Sequence, residues 1–145
     1  RSNRTGVSQM WRQPFAGGPA EQMTENGADQ GLESTDGKTL IYFKQNGALF
    51  AKPLAGGREQ QLLDYVRSEI ALTNEGFYYF GRAGPDGKTP LEFYEFSAKK
   101  SHPIAMLPSQ RLGFIGMTIS PDRRTILYSA YSNWGSDLML VENFR

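Results

Sequence analysis

Side chains that commonly carry out catalysis are scarce in this chain of 145 residues. The single histidine, His102, is followed by Pro103 at the start of a predicted outer strand. It could act as a general base, but no acid or nucleophile lies at an informative spacing, and one histidine cannot build a multi-histidine metal site. Ser120 and Ser129 lack the Gly-x-Ser-x-Gly setting of a nucleophile elbow. We therefore expect His102 to be a partly exposed surface residue and the chain to contain no catalytic residue.

Metal and cofactor motifs are also missing from the sequence. Five aspartates lie at or near predicted turns: Asp29, Asp36, Asp86, Asp122 and Asp137. Calcium requires several oxygens that converge from close positions, and none of these stretches has the Asp-x-Asp-x-Asp spacing. The chain has no cysteine, which excludes disulfides and thiolate metal sites. The glycine pairs at 17–18 and 56–57 join predicted strands, so no helix N-terminus follows them to hold a phosphate. The sequence predicts turn capping for the aspartates, with no metal and no cofactor.

The charge pattern bears on the class of partner. The formal net charge is +1, from 16 basic and 15 acidic residues, and the basic residues are scattered. A nucleic-acid surface normally has a clustered basic excess, so we expect this segment not to bind nucleic acid. No apolar run approaches the roughly 18 residues of a membrane span, and we expect no membrane insertion. The compartment stays open between cytoplasm and periplasm, with the periplasm favoured.

An internal repeat predicts the elements that would position any functional residue. Residues 11–24 read WRQPFAGGPAEQMT and return as FAKPLAGGREQQLL at 50–63, an offset of 39 residues. The phrase STDGKTLIY at 34–42 reappears as SPDRRTILY at 120–128, an offset of 86 residues. A period near 40 residues that is built from short strands predicts a β-propeller.

The repeat divides the chain into four predicted parts. They are a half blade over 1–27, a blade over 28–66, a blade over 67–108 and an incomplete blade over 109–145. Each full blade is predicted to contain four antiparallel strands that are joined by tight turns such as Asp36-Gly37.

Two patterns bear on this division. The segments 40–43, 77–80 and 126–128 are apolar without alternation, as expected of strands that lie between neighbouring blades rather than in a sheet with one wet face. Residues 58–72 could instead form an amphipathic helix, because Leu62, Val66 and Ile70 have helical spacing. The repeat alignment favours a strand at 59–65.

Five short segments of the sequence resemble a known family. The stretches SQMWR at 8–12, GG at 17–18, QMT at 22–24, SPD at 120–122 and ILYS at 126–129 resemble the WD-like repeats of TolB-type bacterial propellers. The resemblance implies an all-β fold of four-stranded antiparallel blades, about two full and two partial, from the C-terminal part of a six- or seven-bladed propeller.

The end of the chain carries a further likeness. Residues 135–144 look like the C-terminus of propellers that are attached to bacterial signalling proteins, in which a winged-helix DNA-binding domain or a protein kinase domain precedes the propeller. We therefore predict a non-catalytic module for protein or ligand binding, which would be the sensory or interaction part of a larger bacterial regulator. The alternatives are a TolB-like periplasmic scaffold and the accessory propeller of a hydrolase or lyase.

The partner contact and the oligomeric state are also predicted. Trp134 lies in the last predicted loop and is the candidate partner contact, whereas Trp11 occupies the position of Phe50 and is expected to pack. An interrupted propeller exposes strand edges and apolar blade faces. We therefore predict a homo-oligomer in which the open blades of one chain complete those of another.

Overall fold

A computed structural model describes residues 1–67, 69–108, 112–132 and 135–142, and it describes the side chains of 1–67, 69–108 and 116–130. These residues form strands and turns, without a helix. The chain divides into two compact units, Arg1–Tyr65 and Val66–Arg145. No helix long and apolar enough to cross a membrane occurs among the described residues.

The first unit begins with two short strand pairs and continues into a four-stranded sheet. Its strands are β1 (Ser2–Thr5), β2 (Val7–Gln9), β3 (Trp11–Arg12), β4 (Glu21–Gln22), β5 (Gln30–Glu33), β6 (Thr39–Phe43), β7 (Leu49–Pro53) and β8 (Gln60–Leu63). β1 pairs with β2 and β3 with β4, while β5 to β8 form an antiparallel sheet in chain order.

The second unit contains a four-stranded and a three-stranded sheet. Its strands are β9 (Ala71–Leu72), β10 (Gly76–Phe80), β11 (Lys88–Glu95), β12 (Lys100–Pro108), β13 (Leu112–Ile119), β14 (Thr125–Ser132) and β15 (Gly135–Glu142). β9 to β12 form one antiparallel sheet and β13 to β15 the other, again in chain order. The two four-stranded sheets lie within the segments predicted as full blades, and the blade boundaries themselves stay predictions.

The hairpin turns are closed by side chains, as the sequence predicted. The Ser34 hydroxyl donates to Asp36 Oδ1 at 2.6 Å, and Asp36 Oδ1 accepts from the Lys38 amide at 3.1 Å. The Ser34 hydroxyl also accepts from the Thr39 amide at 2.9 Å. The turn at 120–125 repeats these three bonds at 2.6, 3.1 and 3.0 Å. The hydrogen bond from Ser34, and then that from Lys38, hold the pKa of Asp36 below its ordinary value.

Strands β6 and β10 are buried on both faces, which confirms the prediction for the apolar runs at 40–43 and 77–80, whereas in the run at 126–128 Leu127 is only partly buried. All of residues 40–43 of β6 and all of β10 are buried. One face of β6 contributes to a core in the first unit that includes Met23, Ala28, Leu40 and Tyr42. In the second unit a core joins the two sheets through residues that include Tyr78, Phe80, Leu91, Ile126 and Tyr128.

The first half of the chain contains strand structure that its polar composition does not suggest. Residues 1–7 are polar, a pattern that favours a turn. The turn is present, with the Gly6 amide 2.9 Å from the Asn3 carbonyl oxygen, but it joins the paired strands β1 and β2. Residues 9–15 do not form one continuous strand, because the strand conformation is interrupted after Gln9 and Phe15 lies in the turn. The alternative helix over 58–72 is wrong, because β8 occupies part of this segment and pairs with β7.

Candidate functional site

The residues that the sequence singled out for chemistry do not converge on one site. His102 lies on the edge strand β12, where its side chain is 48% exposed and its Nε2 is 3.3 Å from Glu95 Oε2 on β11. Ser120 is engaged in the turn described above. Among the residues with described side chains, no group of three or more metal-ligating residues converges.

The remaining predicted positions can be located one by one. Trp134, the candidate partner contact, lies outside the described residues, as does the side chain of Asp137. Asp29 accepts from the Arg1 guanidinium at 3.3 Å, and Asp86 accepts from the Lys88 amide at 3.1 Å. Trp11, which was expected to pack, is partly buried.

A polar cleft in the first unit was missed by sequence reasoning. Two depressions of about 380 and 340 Å³ share Glu25 and Asn26, and we call them together the Asn26 cleft. The first depression is also lined by Val7, Ser8 and the β6–β7 turn at 44–46. The second is also lined by Lys52, Gly57, Arg58 and Glu59.

The loop at 25–27, which we call the cleft loop, is held in place by the buried side-chain amide of Gln9. Gln9 and Thr24 are each only 1% exposed, and the Thr24 hydroxyl donates to Gln9 Oε1 at 2.7 Å. The side-chain Nε2 of Gln9 donates to the Glu25 carbonyl oxygen at 3.0 Å, and Gln9 Oε1 accepts from the backbone amide of Gly27 at 3.2 Å. Buried polar groups that are fully bonded restrict a backbone to one arrangement. The cleft loop is therefore preorganised.

A charged cluster forms one wall of the cleft. Glu59 accepts hydrogen bonds from the Tyr42 hydroxyl, from Lys44 Nζ at 2.9 Å and from Asn26 Nδ2 at 3.3 Å. Burial acts to raise the pKa of Glu59, but the hydrogen bonds from Tyr42, Lys44 and Asn26 outweigh it and lower that pKa below its ordinary value. Burial, followed by the contact with Glu59, raises the pKa of Tyr42 well above its ordinary value.

These shifts determine what the cluster can do chemically. The Glu59 carboxylate stays ionised and the Tyr42 hydroxyl stays protonated at neutral pH. A general acid or base works best when its pKa lies near the operating pH. The pair is therefore suited to holding Lys44 in place rather than to proton transfer. Lys44 also lies over the Phe50 ring, with Nζ 3.8 Å from the ring centroid, which adds a cation–π contact.

Three charged side chains of the second depression are left without partners in the described part of the chain. They are Glu25, Lys52 and Arg58, which make neither ion pairs nor side-chain hydrogen bonds there. Lys52 is half-buried, whereas Glu25 and Arg58 are exposed. Two cations beside the fixed Asn26 amide form a surface that can accept an acidic group from a ligand.

A break in the repeat is the one sequence signal that could have located this cluster. At the offset of 39 residues, Tyr42 corresponds to Asn3 and Glu59 to Ala20. Turns and core positions recur between the two segments, but these polar residues do not. Polar positions that depart from a repeat are candidates for a specific role, because the repeated architecture does not require them.

Comparison with solved structures gives the architecture a family context. The crystal structure of TolB from Acinetobacter baumannii superposes with a TM-score of 0.71 and 8% sequence identity, over 93% of this chain and 35% of the TolB chain. This chain has the fold of a TolB-type β-propeller. The tricorn protease also superposes, with a TM-score of 0.58 and 15% identity, over 88% of this chain and 14% of that chain. No family model and no curated protein matches the sequence.

The structural match confirms the predicted all-β TolB-type propeller fold, with its four-stranded antiparallel blades. The chain spans about a third of the TolB chain and about a seventh of the tricorn protease. Identities of 8% and 15% relate the folds alone, since one fold supports many functions.

Proposed function

We propose that this chain is a non-catalytic propeller module that binds a protein or small ligand at the Asn26 cleft. An acidic group of the ligand would meet Lys52 and Arg58. The observation that carries the proposal is that Lys52 and Arg58, which have no partner among the described residues, lie beside a preorganised loop. A site that is already ordered before binding loses less conformational entropy when the ligand arrives.

The biological setting is a second part of the proposal. The resemblance of residues 135–144 to the ends of signalling propellers supports a sensory module in a larger bacterial regulator. The structural likeness to TolB supports the alternative, a periplasmic scaffold. Sequencing the coding region upstream of Arg1 separates them. A winged-helix or kinase domain in frame supports the regulator, whereas a signal peptide followed only by further blades supports the scaffold.

Binding at the cleft can be tested with a simple dicarboxylate. Glutarate is titrated into the ¹⁵N-labelled chain, and backbone amide shifts are followed by NMR. We expect saturable shifts at the cleft loop and at 57–59, because the ligand carboxylates would contact the side chains there. Glutaramide, which is uncharged and of similar size, should cause no saturable shift.

Matched variants make the result specific. Lys52→Ala combined with Arg58→Ala should abolish the saturable shifts. Lys100→Ala, which removes an exposed charge from the other unit, should leave them unchanged. The proposal for this site is wrong if glutaramide binds as well as glutarate, or if the double variant binds glutarate with unchanged affinity.

A further inference from the structure

The chain contains two Asn-Gly dipeptides, at 26–27 and 46–47. Asparagine before glycine is prone to deamidation, because glycine has no Cβ to hinder attack by its backbone nitrogen on the asparagine side chain. Both glycines have a positive φ, of 84° at Gly27 and 82° at Gly47, so the backbone conformation of the glycine does not distinguish the two sites. The hydrogen bonds around each asparagine must therefore decide which of them reacts.

The turn that holds Asn46 has counterparts elsewhere in the chain. The Gly47 amide donates to the Lys44 carbonyl oxygen at 2.9 Å, and the Ala48 amide donates to Asn46 Oδ1 at 3.1 Å. Three other described turns, at 34–38, 84–88 and 120–124, have the same two bonds. Their side-chain acceptors are Asp36, Asp86 and Asp122, each also at 3.1 Å. Asn46 thus occupies the position at which the three equivalent turns have an aspartate.

This equivalence shows that the turn accommodates a carboxylate at residue 46. A carboxylate oxygen accepts a backbone N–H bond more strongly than an amide oxygen does, because its charge assists the bond. Deamidation of Asn46 to aspartate would give this turn the acceptor that its three counterparts have. The bond from the Ala48 amide would therefore be kept in the product.

The same bond favours the reaction itself. Attack by the Gly47 nitrogen on Asn46 Cγ places negative charge on Oδ1, which already accepts from the Ala48 amide. Ala48 is only 3% exposed, and an aimed N–H donor that is shielded from water stabilises an oxyanion. The Gly47 amide must first leave the Lys44 carbonyl oxygen. This one backbone bond closes a turn whose residues 45 and 46 are exposed, so it opens at low cost.

The surroundings of Asn26 act in the opposite direction. The Gly27 amide donates to Gln9 Oε1, which is buried, so its release would weaken the bonding of a buried acceptor. Asn26 Nδ2 donates to Glu59, whose carboxylate is ionised at neutral pH. The anion that forms when Asn26 is attacked would lie beside this like charge and would be disfavoured.

We propose that Asn46 is a site of spontaneous deamidation and that Asn26 resists the same reaction. The Gly47 nitrogen gives up its proton to solvent and bonds to Asn46 Cγ. The Cγ–Nδ2 bond then breaks, and Nδ2 takes a proton from water and leaves as ammonia. Water opens the resulting succinimide ring at Cγ to give aspartate, or at the main-chain carbonyl carbon of residue 46 to give isoaspartate.

The two products should affect the turn differently. Aspartate leaves the main chain unchanged, whereas isoaspartate adds one carbon to it and so displaces the groups that form the two bonds of the turn. Either product adds a negative charge to the first depression of the Asn26 cleft, which Asn46 lines. The deamidation itself does not depend on whether the cleft binds a ligand.

Deamidation can be followed by mass spectrometry of the native chain during incubation in mildly alkaline buffer. Trypsin separates the two sites, because Asn26 lies in the fragment 13–38 and Asn46 in the fragment 45–58. Tandem fragmentation then locates the altered residue. We expect Asn46 to react about tenfold faster than Asn26 or more, since only the Gly27 amide is held by a buried side chain.

Two variants test the reasons for this difference. Gln9→Leu releases the Gly27 amide and should speed deamidation of Asn26, with Asn46 of the same chain as the internal reference. Asn46→Asp should unfold at the same urea concentration as the wild-type chain or at a higher one, and a lower one would overturn the accommodation of a carboxylate. The proposal is also overturned if Asn26 reacts as fast as Asn46, or if Asn46 stays intact while the urea-unfolded chain deamidates there. An unchanged Asn26 rate in Gln9→Leu would contradict the protective role of Gln9.

Discussion

Replacing Gly76 by alanine should strongly destabilise the second unit. Gly76 lies at the start of β10, opposite Glu95, and its φ is outside the left-handed region, so backbone conformation does not require glycine there. The lack of space does require glycine, because a Cβ would lie 1.9 Å from the Tyr94 carbonyl oxygen and 2.8 Å from Phe93 Cζ. Restoring ordinary contact requires a backbone displacement of about 1.5 Å in a buried sheet.

The magnitude follows from what must move. Overpacked core substitutions cost about 1–3 kcal/mol, and the upper end applies because the obstacle is backbone rather than a flexible side chain. We expect Gly76→Ala to lower the free energy of unfolding by about 3 kcal/mol, and to lower Tm by about 10 °C. Urea denaturation that is followed by circular dichroism measures the first, and thermal melting measures the second.

Gly84→Ala is the control for this substitution. A Cβ there would lie 2.7 Å from Asp86 Oδ1, the tip of an exposed side chain that can rotate away. We expect a loss of about 1 kcal/mol or less. If Gly76→Ala unfolds at the same urea concentration as Gly84→Ala, the close approach of β10 to the Tyr94 backbone is refuted.

Three further predictions concern single residues. Lys99→Gly should stabilise the folded chain by a few tenths to about 1 kcal/mol, because Lys99 has a φ of 51°. Arg123→Gly, at a φ of 58°, should stabilise it less, because the substitution removes the ion pair with Glu75. Thermal melts of the two variants measure the difference. The folded-state pKa of Glu59 is lowered, so its contribution to stability is present above its ordinary pKa of about 4.5 and is lost as pH falls through the folded value. Glu59→Gln should therefore flatten the acid limb of a curve of unfolding free energy against pH. An unchanged acid limb would contradict the hydrogen-bonded cluster around Glu59. Gln9→Leu should lower the free energy of unfolding by about 2–3 kcal/mol, since it leaves buried polar groups without partners. It should also speed hydrogen exchange in the cleft loop. Unchanged exchange would show that the side-chain amide of Gln9 does not order that loop.

The repeat predicted most of the fold because its signals are local. Glycines with positive φ and aspartates that cap their own turns act within a few residues, so the sequence alone reveals the hairpins. The apolar run at 40–43 similarly reports burial on both faces. β1 was missed because its residues, Ser2–Thr5, are polar, and pairing with β2 rather than apolar alternation makes them a strand.

The candidate site could not be predicted by the same route. Its two depressions bring together the cleft loop, the β6–β7 turn and the β7–β8 turn, which lie tens of residues apart in sequence. Gln9 orders the cleft loop from 16 residues before Glu25. Such an arrangement depends on packing, and no short motif encodes it. Trp134, the one contact residue that the sequence proposed, stays a prediction.

The order of strands in these sheets has a consequence for how the chain folds. Within each of the three larger sheets, every strand pairs with its neighbour in sequence. The loops that must close are short, so little chain entropy is lost before each pairing forms. All-β proteins usually fold slowly because their pairings are distant in sequence, and this topology avoids that delay. The pairings within each sheet can therefore form early, whereas burial of both faces of β10 requires the β13–β15 sheet that packs against it.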